Sequence, residues 1–285
     1  MKGNMMIFAP LCLLLCGMLP VDSMMIRFNF TLRDAYQEIP LSMAEDSVDD
    51  MYFGCNQEMM KMIKDKYFKN ENNNSTFMVF WNKAQDCANK KLEQKDKGDE
   101  ALTKDHMQAI CVYTSGYKMF HRMFNDAIQN GMSIYSTFFS FHSLHFWLTS
   151  AVQILSNNIK CHTTYRRTSV VFTGNVNQII RFGFFASSSY KTTLTHFGKK
   201  TCFKIKTCSG GFLKHYSYLK DAEQEVLIPP YEEFKITMKT KGLYVDGLSD
   251  CEVVYILESA GVHSNLNCNA AHLETSGSSL TGGAK

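Results

Sequence analysis

The stretch YLKDAEQEVLIPP, residues 218–230, places two carboxylates two positions apart, directly before an apolar run and two prolines. Residues i and i+2 of an extended strand point to the same face, so Glu223 and Glu225 are expected to project into one space. Like charges held that close raise each other's pKa, which indicates a nearby cation or a chemical task. A solvated strand end shows the same pattern, so the neighbouring sequence is needed to distinguish a functional pair of carboxylates from an exposed one.

The composition is that of an ordinary globular protein. The chain has 285 residues, 45% apolar and 20% charged, with a formal net charge of +3. This length suffices for a large hydrophobic core. The mild charge and the lack of a basic cluster in the sequence argue against a nucleic acid partner. No G-x-G-x-x-G motif or phosphate loop supports a Rossmann-type site for a dinucleotide.

The first 23 residues have the pattern of a secretory signal peptide. Lys2 precedes an apolar run over residues 5–16, and small residues with a proline follow. This run is shorter than the ~20 residues that span a bilayer, so it is not expected to be a membrane anchor. We expect cleavage between Pro20 and Ser23.

Secretion changes how the cysteines and asparagines are interpreted. Two of the ten cysteines lie in the predicted signal peptide, which leaves eight. An even number in an oxidising compartment favours disulfides over thiols or metal sites, but spacing alone does not pair them. The sequons at Asn29, Asn73 and Asn74 are predicted glycosylation sites.

The hydrophobic pattern changes half-way along the chain. Apolar residues recur every three or four positions over residues 41–63, 101–130 and 138–154, which predicts helices. Short β-branched and aromatic runs then predict strands at residues 164–172, 179–185, 201–207, 225–228, 234–239 and 253–257. Helices followed by strands favour an α+β fold over a βαβ repeat.

Three separated motifs resemble the signature of the ecto-ADP-ribosyltransferase family. EQEVLIPP, residues 223–230, resembles its E-x-E element. RFGFFASSS, residues 181–189, resembles its serine element, and CHTTYR, residues 161–166, its arginine element. The likeness continues upstream and is greatest to the T-cell ecto-ADP-ribosyltransferase branch. Its upstream segments are AICVYT, FNDA and LHFWLT, at residues 109–114, 124–127 and 144–149.

The resemblance implies an NAD⁺:protein-arginine ADP-ribosyltransferase, with NAD⁺ as a substrate and release of nicotinamide. It implies three catalytic residues, Arg166, Ser187 and Glu225. Glu225 would stabilise the oxocarbenium-like transition state, and Ser187 would position that carboxylate. Arg166 would bind the phosphate or ribose side of NAD⁺. Glu223 would orient the guanidinium of the acceptor, and Ser189 is a further candidate for binding NAD⁺.

One position departs from the family pattern. The family usually has a glycine directly after the arginine of the first motif, and this chain has Arg167. We assign Arg167 to the predicted NAD⁺-binding residues and expect its bulk to crowd the site. Arg167→Gly is then expected to raise activity or to tighten NAD⁺ binding, since a small residue allows close approach of a ligand.

The resemblance also implies two disulfides and a domain layout. Cys55–Cys268 would tie the ends of the domain together, and Cys161–Cys208 would brace the strands beside the site. The pairing of the other four cysteines stays open. A helical N-terminal half packed on a split β-sheet would form one catalytic domain over residues 24–275, followed by a flexible tail over residues 276–285.

Other interpretations remain at this point. Water as the acceptor would make the chain mainly an NAD⁺ glycohydrolase, and Arg167 favours a catalytically silent ectodomain that binds a partner. His142 and His145 share one helical face, but no third ligand is evident, so we expect no metal.

The expected acceptors are arginine side chains of extracellular or membrane proteins. Many relatives carry a C-terminal lipid anchor, but residues 280–285 lack the ~10 to 20 apolar residues of its signal. We therefore expect a secreted protein, with cell-surface anchorage in a longer form as the alternative.

Overall fold

The computed structural model describes residues 38–72, 75–156 and 161–271. The predicted signal peptide, the asparagines of the three sequons and the predicted tail lie outside these residues. Within them the chain has an α+β fold, with helices in its first half and strands mainly in its second. No helix in the described ranges is both long and apolar enough to cross a membrane.

Seven α-helices of the described chain precede the main sheet. They are Asn56–Met62 (α1), Phe68–Asn72 (α2), Ser75–Lys83 (α3), Gln85–Glu93 (α4), Lys104–Thr114 (α5), Lys118–Gln129 (α6) and His142–Ser156 (α7). A π-helical turn, Ile63–Tyr67, joins α1 to α2. Helix α7 is buried along nearly its whole length and packs against α5, as expected of a helix with few polar positions.

The described residues contain ten strands in two sheets. The strands are Ile39–Pro40 (β1), His162–Thr168 (β2), Phe172–Thr173 (β3), Ile179–Arg181 (β4), Ala186–Ser189 (β5), Thr201–Thr207 (β6), Gly211–Phe212 (β7), Glu225–Ile228 (β8), Glu232–Thr240 (β9) and Val253–Val262 (β10). Strands β1 and β3 form a short parallel pair. The other eight form one mixed sheet in the order β4-β9-β10-β6-β2-β5-β8-β7, in which only β10 and β6 pair in parallel.

This strand order brings the three sequence motifs together. Strands β2, β5 and β8 carry the arginine, serine and E-x-E motifs and are direct neighbours in the sheet. Tyr165 pairs with Ser189, and Ser189 pairs with Glu225. One face of the sheet packs on the main core, which includes α5 and α7. The other face is covered near β6 and β10 by a small apolar cluster of Cys202, Val245, Leu248, Cys251 and Val254.

Two adjacent aspartates tie the N-terminal part of the fold to its C-terminal part. Asp49 pairs with Arg181 at 2.6 Å, and both side chains are fully buried. Asp50 accepts hydrogen bonds from the backbone N–H of Cys268 at 3.0 Å and from the hydroxyl of Tyr135 at 2.7 Å. Burial raises the pKa of Asp50 to about 6, and these hydrogen bonds limit the rise.

Four disulfides account for all eight cysteines that follow the predicted signal peptide. Cys55–Cys268 and Cys161–Cys208 are both present, as the resemblance implied. The other two bridges, which the sequence left open, are Cys87–Cys111 and Cys202–Cys251. The first joins α4 to α5, and the second links the start of β6 to the segment before β10.

Several element boundaries differ from those predicted. The predicted helix over residues 41–63 begins only at Asn56, and Tyr52, with φ +56°, lies in the irregular segment before it. The predicted helix over residues 101–130 is divided where Gly116 adopts φ +69°. The predicted strand over residues 179–185 ends at Arg181, because Gly183, with φ +70°, turns the chain. Periodicity did not reveal these backbone reversals.

We expect reduction to lower the midpoint of thermal unfolding, with Cys55–Cys268 as the main contributor. It closes a loop of 213 residues, against 24 for Cys87–Cys111. Chain entropy gives about 5 kcal/mol for the long loop and about 3 kcal/mol for the short one. Denaturant titration of Cys55→Ser/Cys268→Ser and, as the control, Cys87→Ser/Cys111→Ser tests this. Equal losses, or no effect of reductant, would contradict it.

Candidate active site

Glu223 and Glu225 approach each other at a turn rather than along one strand. Strand β8 begins only at Glu225, and Gln224 has φ +47° with its N–H donating to the carbonyl of Asp221 at 3.2 Å. The expectation of an extended i, i+2 pair is therefore wrong. The carboxylates are still close enough that Glu225 raises the pKa of Glu223. Ser189 Oγ donates to the carbonyl of Glu223, which fixes this turn to β5.

Arg166 is a buried cation on the core side of β2. Arg166 is 3% exposed. Its Nη1 donates to the backbone carbonyl of Ser187 at 2.6 Å. The guanidinium carbon lies 5.7 Å from the centroid of the Phe184 ring. Burial lowers the pKa of Arg166 to about 10, while Tyr113 and Glu225 oppose the shift. Arg166 therefore stays charged at neutral pH.

Glu225 is the carboxylate next to this cation. Burial raises its pKa to about 7, although Ser187, Ser217 and the charge of Arg166 all act to lower it. Ser217 Oγ donates to Glu225 Oε2 at 3.4 Å. At neutral pH the carboxyl group is consequently divided between its protonated and ionised forms, so a cationic ligand can shift it to the ionised form.

Three buried polar atoms around this carboxylate have no hydrogen-bond partner among the described residues. They are Glu225 Oε1, Ser187 Oγ and Asn125 Oδ1. Ser187 and Asn125 both lie near the hydroxyl of Tyr113, whose pKa they lower against the larger effect of burial. Buried polar atoms are normally paired, so several unpaired ones in one place indicate that a polar ligand or water completes the site.

Helices α5 and α6 supply three site residues to which the sequence gave no role. The hydroxyl of Tyr113 donates to the carbonyl of Phe185, and the ring of His121 lies 4.7 Å from that of Tyr113. Asn125 Nδ2 lies 3.4 Å from His121 Nε2. Burial and the charge of Arg166 lower the pKa of His121 to about 3, so it is neutral. Tyr113 and Asn125 lie in the AICVYT and FNDA segments, whose resemblance to the family could have pointed to them. No feature of the sequence pointed to His121.

A cavity of about 270 Å³ is lined in part by Arg166. Its lining is largely aromatic, with Phe172, Phe182, Phe184 and Phe203 facing residues of the 39–44 segment. The second arginine in its wall, Arg181, is already paired with Asp49. An aromatic wall next to the Arg166 guanidinium, which keeps further N–H groups beyond its bond to Ser187, suits a flat ring attached to an anionic group.

Glu223 borders the site on the side of the E-x-E turn. Burial and the charge of Glu225 raise its pKa to about 8, while Lys191 lowers it. Lys191 Nζ donates to the carbonyl of Ala222 at 2.6 Å, and its backbone N–H donates to Ser189 Oγ at 2.9 Å. Ser189, predicted to bind NAD⁺, thus has its hydroxyl engaged in holding the turn.

Arg167 does not reach this site. As the next residue along β2 it points to the opposite face of the sheet from Arg166. Its Nε donates to the carbonyl of Thr192 at 2.8 Å, its Nη2 to that of Gly247 at 3.1 Å, and its fork to both oxygens of Asp250 at 2.9 and 3.2 Å. The expectations that Arg167 binds NAD⁺ or crowds the site are therefore wrong. We call this set of contacts the Arg167 clamp.

The paired histidines of α7 belong to the core. His145 Nδ1 bonds the hydroxyl of Tyr52 at 2.7 Å, and Nε2 lies 3.2 Å from the carbonyl of Val48. His142 stacks on Tyr67 with ring centroids 4.0 Å apart. In the part of the chain that the structure describes, no group of three or more His, Cys, Asp or Glu side chains is placed to hold a metal ion.

Comparison with protein families gives a match over residues 41–246 to the model of NAD:arginine ADP-ribosyltransferase. Ecto-ADP-ribosyltransferase 5 of Bos taurus is 35% identical over 217 residues, covering 70% of this chain and 66% of that protein. T-cell ecto-ADP-ribosyltransferase 1 of Mus musculus is 35% identical over 199 residues, covering 68% of this chain and 67% of that protein. GPI-linked NAD(P)(+)--arginine ADP-ribosyltransferase 1 of Homo sapiens is 30% identical over 258 residues, covering 84% of this chain and 76% of that protein.

The fold resembles solved structures as well. A mutant of the eukaryotic mono-ADP-ribosyltransferase ART2.2 in complex with NADH superimposes with a TM-score of 0.67 at 28% identity. The match covers 81% of this chain and 98% of that one. Sequence and structure comparisons therefore agree over most of the described residues.

Arg167→Gly is expected to destabilise the protein and not to raise its activity. The substitution removes a buried guanidinium, leaves the carbonyls of Thr192 and Gly247 without its N–H donors, and leaves Asp250 paired with the exposed Lys199 at 3.4 Å. Because Asp250 is 31% exposed and can be rehydrated, we expect a loss on the order of 2 kcal/mol in the free energy of unfolding. Denaturant titration measures this, and a turnover assay accompanies it.

The matched control for that experiment is Lys200→Gly. Lys200 pairs with Glu252 at 2.6 Å, but the two side chains are 51% and 58% exposed, so its loss should change stability little. An Arg167→Gly variant with unchanged stability and higher turnover would restore the view of Arg167 as an obstacle.

Proposed function

This chain belongs to the NAD:arginine ADP-ribosyltransferase family, and we propose that its site transfers ADP-ribose from NAD⁺ to an arginine side chain and releases nicotinamide. One observation carries the assignment to this site. The buried Glu225 carboxylate has an unpaired oxygen and lies beside the buried cation Arg166 and the unpaired hydroxyl of Ser187. These three residues come from β8, β2 and β5, the strands of the three sequence motifs.

Glu225 acts on the bond that breaks. Cleavage between nicotinamide and ribose leaves positive charge on the ribose, so an ionised carboxylate held nearby stabilises the transition state. Oxygen Oε1 is free to accept a hydrogen bond from a ribose hydroxyl, while Ser217 holds Oε2. Ser187 Oγ lies close enough to the same carboxylate to lower its pKa, and its unpaired hydroxyl is placed to orient Glu225 when substrate binds.

Arg166 and the neighbouring cavity hold the rest of the dinucleotide. The guanidinium makes one hydrogen bond within the described protein, to Ser187, so further N–H groups remain for oxygen acceptors of NAD⁺. The aromatic wall of the adjoining cavity supports stacking of one of its flat rings.

Glu223 acts on the acceptor. An arginine guanidinium is protonated at physiological pH and is a weak nucleophile. A carboxylate can hold it through two parallel hydrogen bonds and withdraw a proton. The pKa of Glu223, raised to about 8, makes its ionised form a stronger base than an ordinary glutamate, and the incoming cation favours that form.

One observation favours NAD⁺ glycohydrolase activity as a second function. With a pKa of about 8 in the free protein, Glu223 is largely protonated at neutral pH and then holds no guanidinium. Water would replace the arginine under those conditions. The case for a silent ectodomain rested on Arg167 and is removed by the position of that residue away from the site.

We further propose that the protein acts outside the cell. Its relatives carry the names ecto-ADP-ribosyltransferase and GPI-linked arginine ADP-ribosyltransferase, which agree with an extracellular or cell-surface placement. Four disulfides in the described chain suit an oxidising compartment. The acceptors would be arginines of extracellular or membrane proteins.

The two carboxylates are expected to fail differently when each loses its charge. Glu225→Gln should lower both transfer and hydrolysis by about a hundredfold or more, because both reactions cross the same charged transition state. Glu223→Gln should abolish transfer to agmatine, an arginine analogue, and leave hydrolysis of NAD⁺ by water largely intact.

The measurement is a parallel assay of both variants with labelled NAD⁺, with and without agmatine, after thermal unfolding shows that each is folded. If both variants lose transfer and hydrolysis in equal proportion, the assignment of separate roles to Glu223 and Glu225 is incorrect.

The rate of NAD⁺ cleavage is expected to fall as the pH falls through about 7, because protonation removes the charge of Glu225. The profile of kcat/KM against pH without an acceptor tests this. Activity is normalised to the folded fraction at each pH. Burial lowers the pKa values of His106, His121, His142 and His145 to about 3 to 4, which destabilises the folded state as the pH falls below about 6.5, whereas the raised pKa of Glu225 acts in the opposite direction. A flat profile between pH 6 and 8.5 would contradict the role of Glu225.

A further inference from the structure

Ser217 holds one oxygen of the Glu225 carboxylate from outside the three sequence motifs. Its Oγ donates to Glu225 Oε2 at 3.4 Å, and Ser217 is fully buried. Burial raises the pKa of Glu225 to about 7, and the hydroxyls of Ser187 and Ser217 limit that rise. The distance is long for a hydroxyl donor, so the bond depends on how firmly the backbone at Ser217 is held.

The backbone that carries Ser217 is irregular. We call residues 213–217 the serine segment. Its regular structure is a single 3₁₀ turn, Lys214–Tyr216, and Leu213 N–H donates to the carbonyl of Glu225 at 2.9 Å. Lys214 has φ +51°, a left-handed conformation that a lysine keeps only where its surroundings hold it. The serine segment therefore needs side-chain contacts to fix its shape.

Asp99 supplies two of these contacts from the connection between α4 and α5. Its Oδ2 accepts hydrogen bonds from Lys214 Nζ at 2.6 Å and from the hydroxyl of Tyr216 at 2.7 Å. Asp99 is 4% exposed, so this carboxylate is a buried anion whose partners both belong to the serine segment. One side chain thus fixes the residue with the left-handed backbone and the residue directly before Ser217.

Ser217 is held through both of its neighbours in the chain. The hydroxyl of Tyr216, before it, is bonded to Asp99. The N–H of Tyr218, after it, donates to Thr114 Oγ1 at 2.7 Å, at the end of α5. A disulfide joins α5 to α4, so the anchors on both sides of Ser217 belong to one rigid helical unit. The position of the Ser217 hydroxyl therefore depends on that unit.

We propose that Asp99 is a positioning residue of the transferase site, which acts through Lys214 and Tyr216 to hold the Ser217 hydroxyl on the Glu225 carboxylate. This inference rests on the proposed function. Without Asp99, the serine segment keeps its anchor after Ser217 and loses the one before it. The hydrogen bond to Glu225 is then weakened, and the ionised form of that carboxylate, which NAD⁺ cleavage requires, becomes less favourable.

The other groups that influence Glu225 lie outside the serine segment. The charged and titratable groups that face it come from three places: Arg166 from β2, Tyr113 from α5 and Glu223 from the turn before β8. Loss of the negative charge of Asp99 would by itself lower the pKa of Glu225, because like charges raise it. A rise in that pKa after replacement of Asp99 therefore reports the loss of the Ser217 hydrogen bond.

The test measures the ionisation of Glu225 by NMR. Protein isotope-labelled in its glutamate carboxyl carbons is titrated with pH, and the Glu225 signal is identified by its absence in Glu225→Gln. Ser217→Ala and Asp99→Ala should each raise the pKa of Glu225 by about 0.5, as expected when a weak hydrogen bond to the ionised form is lost. The double variant Asp99→Ala/Ser217→Ala should raise it no further than Ser217→Ala alone.

The matched control is Asp96→Ala. Asp96 pairs with the same Lys214 Nζ at 3.3 Å, but its side chain is 42% exposed, so its loss should leave the pKa of Glu225 and kcat/KM for NAD⁺ cleavage unchanged. Asp99→Asn keeps an acceptor oxygen for Tyr216 and should restore much of the wild-type pKa. Tyr216→Phe removes only the hydroxyl that bonds Asp99, should raise the pKa as Asp99→Ala does, and serves if Asp99→Ala does not fold.

The kinetic counterpart is the profile of kcat/KM against pH for NAD⁺ cleavage. Its acid limb should move to higher pH by about 0.5 in Asp99→Ala, in step with the NMR titration. An unchanged pKa of Glu225 in folded Asp99→Ala or Tyr216→Phe, or additive rises in the double variant, would overturn the inference. The NMR titration needs no turnover, so an inactive wild type would contradict the proposed function while the role of Asp99 is still judged.

Discussion

The burial of the Arg166 guanidinium is the constraint on which the site depends. Arg166 is 3% exposed, so the free-energy cost of burying its charge has to be offset. The carbonyl of Ser187 and the negative charge of Glu225 offset this cost. Compensation requires β2, β5 and β8 to be neighbours, which is the order that the sheet adopts. The same strand order places the three sequence motifs side by side.

The Glu225 carboxylate of the site differs from the buried carboxylates of Asp49 and Asp50. Asp49 and Asp50 are surrounded by donors, including Arg181 and Tyr135, and they join distant parts of the chain. At the site, by contrast, Glu225 and Ser187 keep unpaired atoms, and the pKa of Glu225 is raised to about 7. The fold thus pairs the carboxylates of Asp49 and Asp50 internally and leaves an oxygen of the Glu225 carboxylate to be completed by a substrate that carries hydroxyl groups and positive charge.

The fold class and the grouping of Arg166, Ser187 and Glu225 on neighbouring strands could be predicted because the motifs are contiguous in sequence and strongly patterned. Details that depend on backbone reversals could not be predicted. The positive φ of Gln224 turns the E-x-E segment. Strand alternation alone sends Arg167 to the face opposite Arg166, but the sequence does not show that Asp250 lies there to pair with it. The position of His121 in the site could not be predicted either, since it depends on the packing of α6 near Arg166.

The measurement that tests the central claim most directly is product analysis of the wild-type protein with NAD⁺ and agmatine by mass spectrometry. The account predicts ADP-ribosylated agmatine and one equivalent of nicotinamide. Free ADP-ribose with unmodified agmatine would show that water is the acceptor and would contradict the role given to Glu223. Unconsumed NAD⁺ from a folded protein would contradict the assignment of a catalytic site to Arg166, Ser187 and Glu225.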